Sequence, residues 1–186
     1  LELFRVHGTE FHTAVFTNLT HDHLDFHGTL DAYREAKALL FQRYLRPSGG
    51  LPRAIVWGED PAITELGLPV DCWTYGFGSA FDWSVNELRM SNEGMIVSVE
   101  TPMGAFEIQS GLVGRFNALN LIAALAIGVS LGIAPKQMCE ALSGVAGAPG
   151  RMERVPHNGA VMVVVDYAHT PDALERAITA LKECSK

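Results

Sequence analysis

The chain has 186 residues, 48% of them hydrophobic and 19% charged, with a formal net charge of −7. That length buries a good core and accommodates one domain or one and a half. The acidic balance argues against a general nucleic-acid binder, which needs a basic face to neutralise phosphates, while leaving room for a nucleotide held by a few local contacts.

Cys72, Cys139 and Cys184 are odd in number, far apart and in no C-x-x-C pair. This pattern fits reduced thiols in a cytoplasm better than a disulfide framework or a structural zinc site. No basic region precedes an apolar run at the start, so no signal peptide is read there. The first residue is Leu1, not Met, and the chain is expected to be a piece of a longer protein. Phe116 to Ala134 is the longest apolar stretch, but it contains Asn117, Asn120, Ser130 and two glycines. It reads as a buried helix rather than a membrane span, which wants about 20 predominantly apolar residues.

In chain order, Leu1 to Val6 is a short apolar segment carrying Arg5, which alone reads as a surface charge. Ala14 to Thr17 reads as a short buried strand. Polarity then jumps: Asn18, Thr20, His21, Asp22, His23, Asp25 and His27 fall within ten positions, and Gly28 closes the loop. Ligand-type side chains crowded at a strand end mark where an open α/β sheet places its chemistry. Asp31 is expected to cap the next helix, which the spacing of Tyr33, Ala36, Leu40 and Tyr44 predicts to run to Tyr44. Arg46-Pro-Ser-Gly-Gly50 ends it.

Ala54 to Trp57 reads as a buried strand, Asp60-Pro-Ala as the start of a short helix, and Val70 to Tyr75 as another strand. This alternation predicts a mostly parallel sheet flanked by helices. Asp82 to Met90, Met95 to Glu100 and Ala105 to Ser110 read as hairpin strands joined at Ser91-Asn-Glu-Gly94 and Pro102-Met-Gly104, a small antiparallel sheet added to the parallel one. Gly111 to Asn120 opens the long apolar helix, and Pro135 starts another, to about Leu142. Ser143 to Gly150, with three glycines and a proline, is the best domain boundary. Beyond it lie Arg151 to Arg154, a turn at His157-Asn-Gly159, a strand Val161 to Val165, and a helix from Asp172. Asp166 alone reads as a cap or a strand-end hydrogen-bonding group.

Two families share the polar stretch. Thr20-His-Asp-His-Leu-Asp-Phe-His-Gly28 resembles the T-H-x-H-x-D-H-x-G signature of metallo-β-lactamase-like zinc hydrolases. It departs where Phe26 separates Asp25 from His27, and one inserted residue redirects every later ligand. The longer stretch Thr17-Asn-Leu-Thr-His-Asp-His-Leu-Asp-Phe-His-Gly28, followed by Tyr33-Arg-Glu-Ala-Lys37, resembles the Mur ligase family. The closest form is that of its tripeptide-synthetase members, T-N-L-(S/T)-x-D-H-L-D-x-H-G and then A-K. The G-x-x-N-x-x-N run ending at Asn120, the G-R-M-E run at Arg151 and Asp166-Tyr-Ala-His-Thr-Pro-Asp-Ala-Leu174 extend the resemblance over nearly the whole chain.

The resemblance implies a Mur ligase central domain over residues 1–147, with its phosphate-loop part missing, and the beginning of a Rossmann-like C-terminal domain over 148–186. It implies an ATP- and Mg²⁺-dependent amide ligase. Such an enzyme activates the terminal carboxylate of UDP-MurNAc-L-Ala-D-Glu as an acyl phosphate, which the amine of diaminopimelate or lysine then attacks during peptidoglycan synthesis in the cytoplasm. His23 and a carbamylated Lys37 are implied to hold magnesium, and Arg5 to contact the muramoyl-peptide substrate. Asn117, Asn120, Arg151, Asp166 and His169 are implied to seat ATP. Nucleic-acid binding and membrane insertion are not expected. No G-x-x-x-x-G-K-(S/T) loop is present in these residues, and the element that reads the incoming amino acid is missing too, so the isolated piece is expected to be inactive. Folylpolyglutamate and cyanophycin synthetases are the nearest alternatives within the same superfamily.

Overall fold

The computed structural model describes residues 1, 3–19, 24–46, 54–65, 68, 72–156, 159 and 161–184. The expectations placed on Thr20 to His23, Pro47 to Gly50, Val70 and the His157-Asn158 turn lie outside these residues.

Apolar runs in β1 (Ala14–Phe16), β2 (Ala54–Trp57) and β3 (Cys72–Phe77) form the parallel half of one sheet. Their runs are continuous because both faces are covered. Ala54 and Val56 pack with Phe16, Ala38 and Phe41 on one side. Ile55 points the other way and joins Trp73, Trp83, Leu121, Ile122 and Leu125. The chain is thus layered, with α2 (Leu30–Leu39) on one face and α3 (Arg115–Ser130) on the other. A one-turn helix α1 (Leu24–His27) precedes α2, and a π-helical turn, Leu40–Tyr44, extends it. The expected helix to Tyr44 is therefore present, with a wider last turn.

Its cap differs from expectation. Thr29, in extended conformation, accepts from the Ala32 N–H at 3.1 Å and is the N-cap. Asp31 sits within the first turn and pairs with Arg34 at 3.1 Å. A threonine one residue before the first helical position outcompetes an aspartate already inside the turn, whose carboxylate instead meets the positive helix end.

β4 (Trp83–Ser91) runs parallel to β3, then pairs antiparallel with β5 (Gly94–Thr101), which pairs with β6 (Gly104–Ser110). The hairpins are those expected, added to the parallel sheet through β4, giving one six-stranded sheet in the order β1-β2-β3-β4-β5-β6. The register shifts between Val85 and Glu87, a bulge just where the sheet changes from parallel to antiparallel pairing. Only three residues of β3 and β4 overlap, Tyr75 to Phe77 against Trp83 to Val85, so five residues suffice to join parallel neighbours. Thr74 and Asp82 close that loop. Asp82 Oδ2 accepts from the Thr74 N–H and hydroxyl at 2.8 Å, and Thr74 Oγ1 accepts from the Asp82 N–H at 3.1 Å. The Phe81 ring then lies over Gly58 and Gly76, where a Cβ would fall 2.4 and 2.5 Å from ring carbons.

α3 is apolar around most of its circumference because it is buried between the sheet and α4 (Pro135–Ser143). No helix among the described residues is long and apolar enough to cross a membrane. Residues 145–148 carry no regular structure. After them, β7 (Glu153–Val155) and β8 (Val163–Val165) form a two-stranded antiparallel sheet. The amphipathic α5 (Pro171–Cys184) packs through Ala177, Ala180 and Cys184 onto Val113 and Met152.

Candidate functional site

The polar stretch starts where β1 stops, and α2 returns alongside it carrying Lys37. Tyr33 and Lys37 are four residues apart on one helix face, so their side chains meet. Lys37 Nζ lies 4.8 Å from the Tyr33 ring centroid and 5.7 Å from that of Phe16. It donates to the Asn18 carbonyl at 2.9 Å. Half-buried over two rings and tied to a strand-end carbonyl, Lys37 is not a solvated surface charge. His27 stacks on Tyr33, with centroids 4.8 Å apart. Arg5 joins Phe26, His27, Tyr33 and Lys37 around a shallow pocket of about 200 Å³. The two residues expected to handle substrate and metal thus share one pocket. His23 lies outside the described residues.

A larger pocket, about 540 Å³, opens at the C-terminal ends of β1, β2 and β3. Thr17, Asn18 and Leu19 line it from β1, Trp57 and Asp60 from β2, and Tyr75 from β3. Phe116, Leu119 and Asn120 close it from α3, with Arg34 and Arg176 at its rim. This is the crevice position at which open α/β sheets bind ligands. Tyr75 donates to the Phe16 carbonyl at 3.2 Å, and burial pushes its hydroxyl pKa well above the usual tyrosine range. Trp57 Nε1 is buried here with no acceptor among the described residues. Asn117 Nδ2 donates to the Val113 carbonyl at 2.8 Å, and Asn120 Nδ2 to Asn117 Oδ1 at 3.1 Å. The pair is therefore internally braced and does not cap α3, whose N-cap is Gly114 at φ +92°.

Arg151, Asp166 and His169 form a third group, and none of them lines either pocket. Asp166 takes the N–H groups of Met152 and Ala168, each at 2.8 Å. The Arg151 guanidinium lies 5.1 Å from the Tyr167 ring centroid. His169 Nδ1 donates to the Tyr167 carbonyl at 2.9 Å. Met152 packs on Val113, whose carbonyl holds Asn117, so this group reaches α3 through one residue. Asp60, Tyr75 and Trp57 are site residues that sequence reasoning did not single out. Asp60 offered a signal, since Asp-Pro-Ala reads as a helix start, but nothing in the spacing joins it to Leu19.

Residues 1–128 match the Mur ligase middle domain, and residues 150–186 match the Mur ligase glutamate ligase domain. The chain belongs to the Mur ligase family. Among curated Mur ligases it is 44% identical to the UDP-N-acetylmuramoyl-L-alanyl-D-glutamate–2,6-diaminopimelate ligase of Thermosynechococcus vestitus, across 96% of this chain and 36% of that one. It is 39% identical to the ligase of the same name from Neisseria meningitidis serogroup B, across 98% and 38%. The chain thus spans less than two fifths of the length of these relatives. A solved structure of a ligase of that name superposes with TM-score 0.81 at 34% identity, covering 98% of this chain and 38% of that one. MurF from Acinetobacter baumannii superposes with TM-score 0.79 at 23% identity, covering 92% and 37%, and shares the fold. Membership of this family overturns the zinc-hydrolase alternative.

Proposed function

We propose that this chain is part of an ATP-dependent carboxylate–amine ligase that adds 2,6-diaminopimelate to UDP-MurNAc-L-Ala-D-Glu in peptidoglycan synthesis. The substrate assignment follows the names of its relatives. The observation that carries the site reading is the seat of Lys37, half-buried at the end of β1 with Arg5 on the same pocket. Residues 1–147 make up the central domain, and 148–186 open the C-terminal one. The compartment under this reading is the cytoplasm, where the three thiols stay reduced.

The chemistry sets what the residues do. A carboxylate and a phosphate repel, so cations must gather them before a phosphoryl group moves between them. Arg5 suits the task of holding a substrate carboxylate or phosphate, because its guanidinium offers two parallel donors. The 540 Å³ crevice falls in the size range of small-ligand sites. Its aromatic walls suit a base, Asn120 can donate to and accept from an adenine edge, and the buried Trp57 N–H, which has no acceptor among the described residues, suits a ligand acceptor. Arg151 and His169, exposed at the start of the C-terminal segment, would reach the nucleotide from outside the crevice, and Asp166, whose oxygens take the Met152 and Ala168 N–H groups, would set the backbone that carries them.

Magnesium fits the donor set on one condition. An ammonium has no lone pair to offer, whereas a carbamate on Lys37 brings two hard oxygens of the kind Mg²⁺ prefers. Carbamylation balances as amine plus CO₂: the Nζ–C bond forms, and the ammonium gives up two protons in all. With His23, that carbamate would hold the ion, which supplies neutralising charge between the two anions.

The test uses the full-length protein with ATP, the UDP-muramoyl dipeptide and either diamino acid. Phosphate release that requires all three substrates, with a product heavier by diaminopimelate less water, is the expected result. Release with neither diaminopimelate nor lysine would overturn the ligase reading. Preference for lysine would overturn the amino-acid assignment alone.

A further inference from the structure

One peptide unit at the site is held from both ends. The carbonyl of Asn18 accepts from Lys37 Nζ at 2.9 Å, and the N–H of the same peptide, on Leu19, donates to Asp60 Oδ2 at 2.7 Å. Asp60 is 5% exposed, the only charged side chain among the described residues to be buried. Its other oxygen, Oδ1, accepts from the Ala62 N–H at 2.9 Å and caps the 3₁₀ turn Pro61–Glu65. Capping needs one oxygen, and serine or threonine supplies it as well as aspartate does. The second oxygen reaches 41 residues back along the chain, to the segment that leads into His23.

We propose that Asp60 is a positioning residue for Lys37, acting through the Asn18–Leu19 peptide. The proposal rests on the ligase reading above and adds to it a residue that reading does not require. A peptide plane anchored by its N–H does not flip, so the Asn18 carbonyl stays turned toward Nζ. The carboxylate on the N–H and the cation on the carbonyl polarise the amide in the same direction, and each strengthens the other's bond. After carbamylation Nζ keeps one hydrogen. With that N–H committed to the Asn18 carbonyl, the planar carbamate has its two oxygens turned away from the strand end and toward the pocket. Removing the Leu19 anchor frees the plane to rotate, and the carbamate loses its reference.

Asp60→Ser in the full-length protein separates the two roles of the side chain. Serine keeps the cap on Ala62 and is too short to reach Leu19. The deciding readout is the ¹³C resonance of the Lys37 carbamate after equilibration with ¹³C-bicarbonate, assigned by its absence in Lys37→Ala. Asp60→Ser should weaken or shift that resonance while retaining a cooperative unfolding transition. Its kcat should fall about tenfold, the scale of one lost hydrogen bond to a charged group, with the KM for ATP changed less than about twofold. Asp60→Thr keeps the same cap and is equally too short to reach Leu19; it gives the same result and stands in if the serine variant does not fold. An unchanged carbamate resonance in a folded variant overturns the proposal, whatever kcat does. Absence of any carbamate on wild-type Lys37 overturns it together with the modification, while product formation by the wild type decides the ligase reading separately.

Discussion

Asp166 holds Met152 by its backbone: the carboxylate Oδ2 accepts the Met152 N–H at 2.8 Å, across the β7–β8 pair. Met152 is not glycine, yet its φ is +48°, in the left-handed region. That conformation turns the Met152 side chain into the cluster with Val113 and Ala177 while Arg151 stays exposed beside Tyr167. Left-handed backbone is unfavourable for a residue with a Cβ, so it persists only where neighbours hold it.

Replacing Asp166 by alanine removes the acceptor of two backbone donors, Met152 and Ala168. Each donor left unpaired costs about 1–3 kcal/mol when it cannot reach water. Asp166→Ala should therefore speed amide exchange at Met152 and Ala168 by at least about tenfold and loosen Arg151. In the full-length enzyme the KM for ATP should rise. Unchanged exchange at both amides would show that the carboxylate does not set this conformation.

Gly76 is required by a ring rather than by its own backbone. A Cβ there would fall 2.5 Å from Phe81 and 2.9 Å from Glu59 Oε1. Gly76→Ala should destabilise the protein by about 1–3 kcal/mol, the range for overpacking. Phe81→Leu alone also destabilises, but the double variant should be less unstable than the sum of the two, as residues in contact are not additive. A strictly additive double-mutant cycle in urea unfolding would refute the steric account.

Tyr75 links the sheet core to the strand end through its bond to the Phe16 carbonyl. Burial alone raises its pKa, so the folded value lies above the unfolded one of about 10. A raised folded pKa means that the stabilisation is complete below about pH 10 and is lost as pH climbs past it. Tyr75→Phe removes one hydrogen bond, about 1 kcal/mol, and also removes this titration. Its urea midpoint at pH 8 should be lower than that of the wild type, and the gap should narrow above about pH 10. A gap that stays constant into the alkaline range would rule out Tyr75 as its source.

How much of this was legible in the sequence follows from the range of the forces involved. β2, the two hairpins and α4 were readable because periodicity, turn glycines and an N1 proline act within a few residues. The cap on α2 is not decided by residue type, because Thr29 and Asp31 are both good capping residues and only backbone geometry separates them. That the antiparallel strands join the parallel sheet was legible, but that β4 pairs parallel with β3 was not, since a five-residue connection between parallel strands goes with the short Tyr75–Phe77 overlap. At the site, Lys37 stood out through a motif, and Arg5 only through the family resemblance. Asp60 did not, because its partner Leu19 is an apolar residue offering only a backbone N–H, which leaves no trace in side-chain pattern.

The last prediction separates two roles for Lys37. Its Nζ already makes a bond to Asn18 and rests over two rings, which a plain cation would also do. Arginine keeps the charge, the reach to a carbonyl and the affinity for aromatic faces, but it stays protonated and does not take up CO₂. If Lys37 serves as a cation, Lys37→Arg in the full-length enzyme retains much of its ligase activity. If it serves as a carbamate, Lys37→Arg and Lys37→Ala are both depressed, by about 100-fold, the upper end of what loss of a group supporting a metal does. The carbamate role predicts a further asymmetry. Added acetate should partly restore Lys37→Ala, whose cavity admits a small carboxylate, and should do nothing for Lys37→Arg, whose side chain fills the space. The expected outcome is two inactive variants with rescue of the alanine protein only, read as phosphate release against acetate concentration. An active arginine variant would show that the charge, and not a carboxylate on Nζ, is what the site uses.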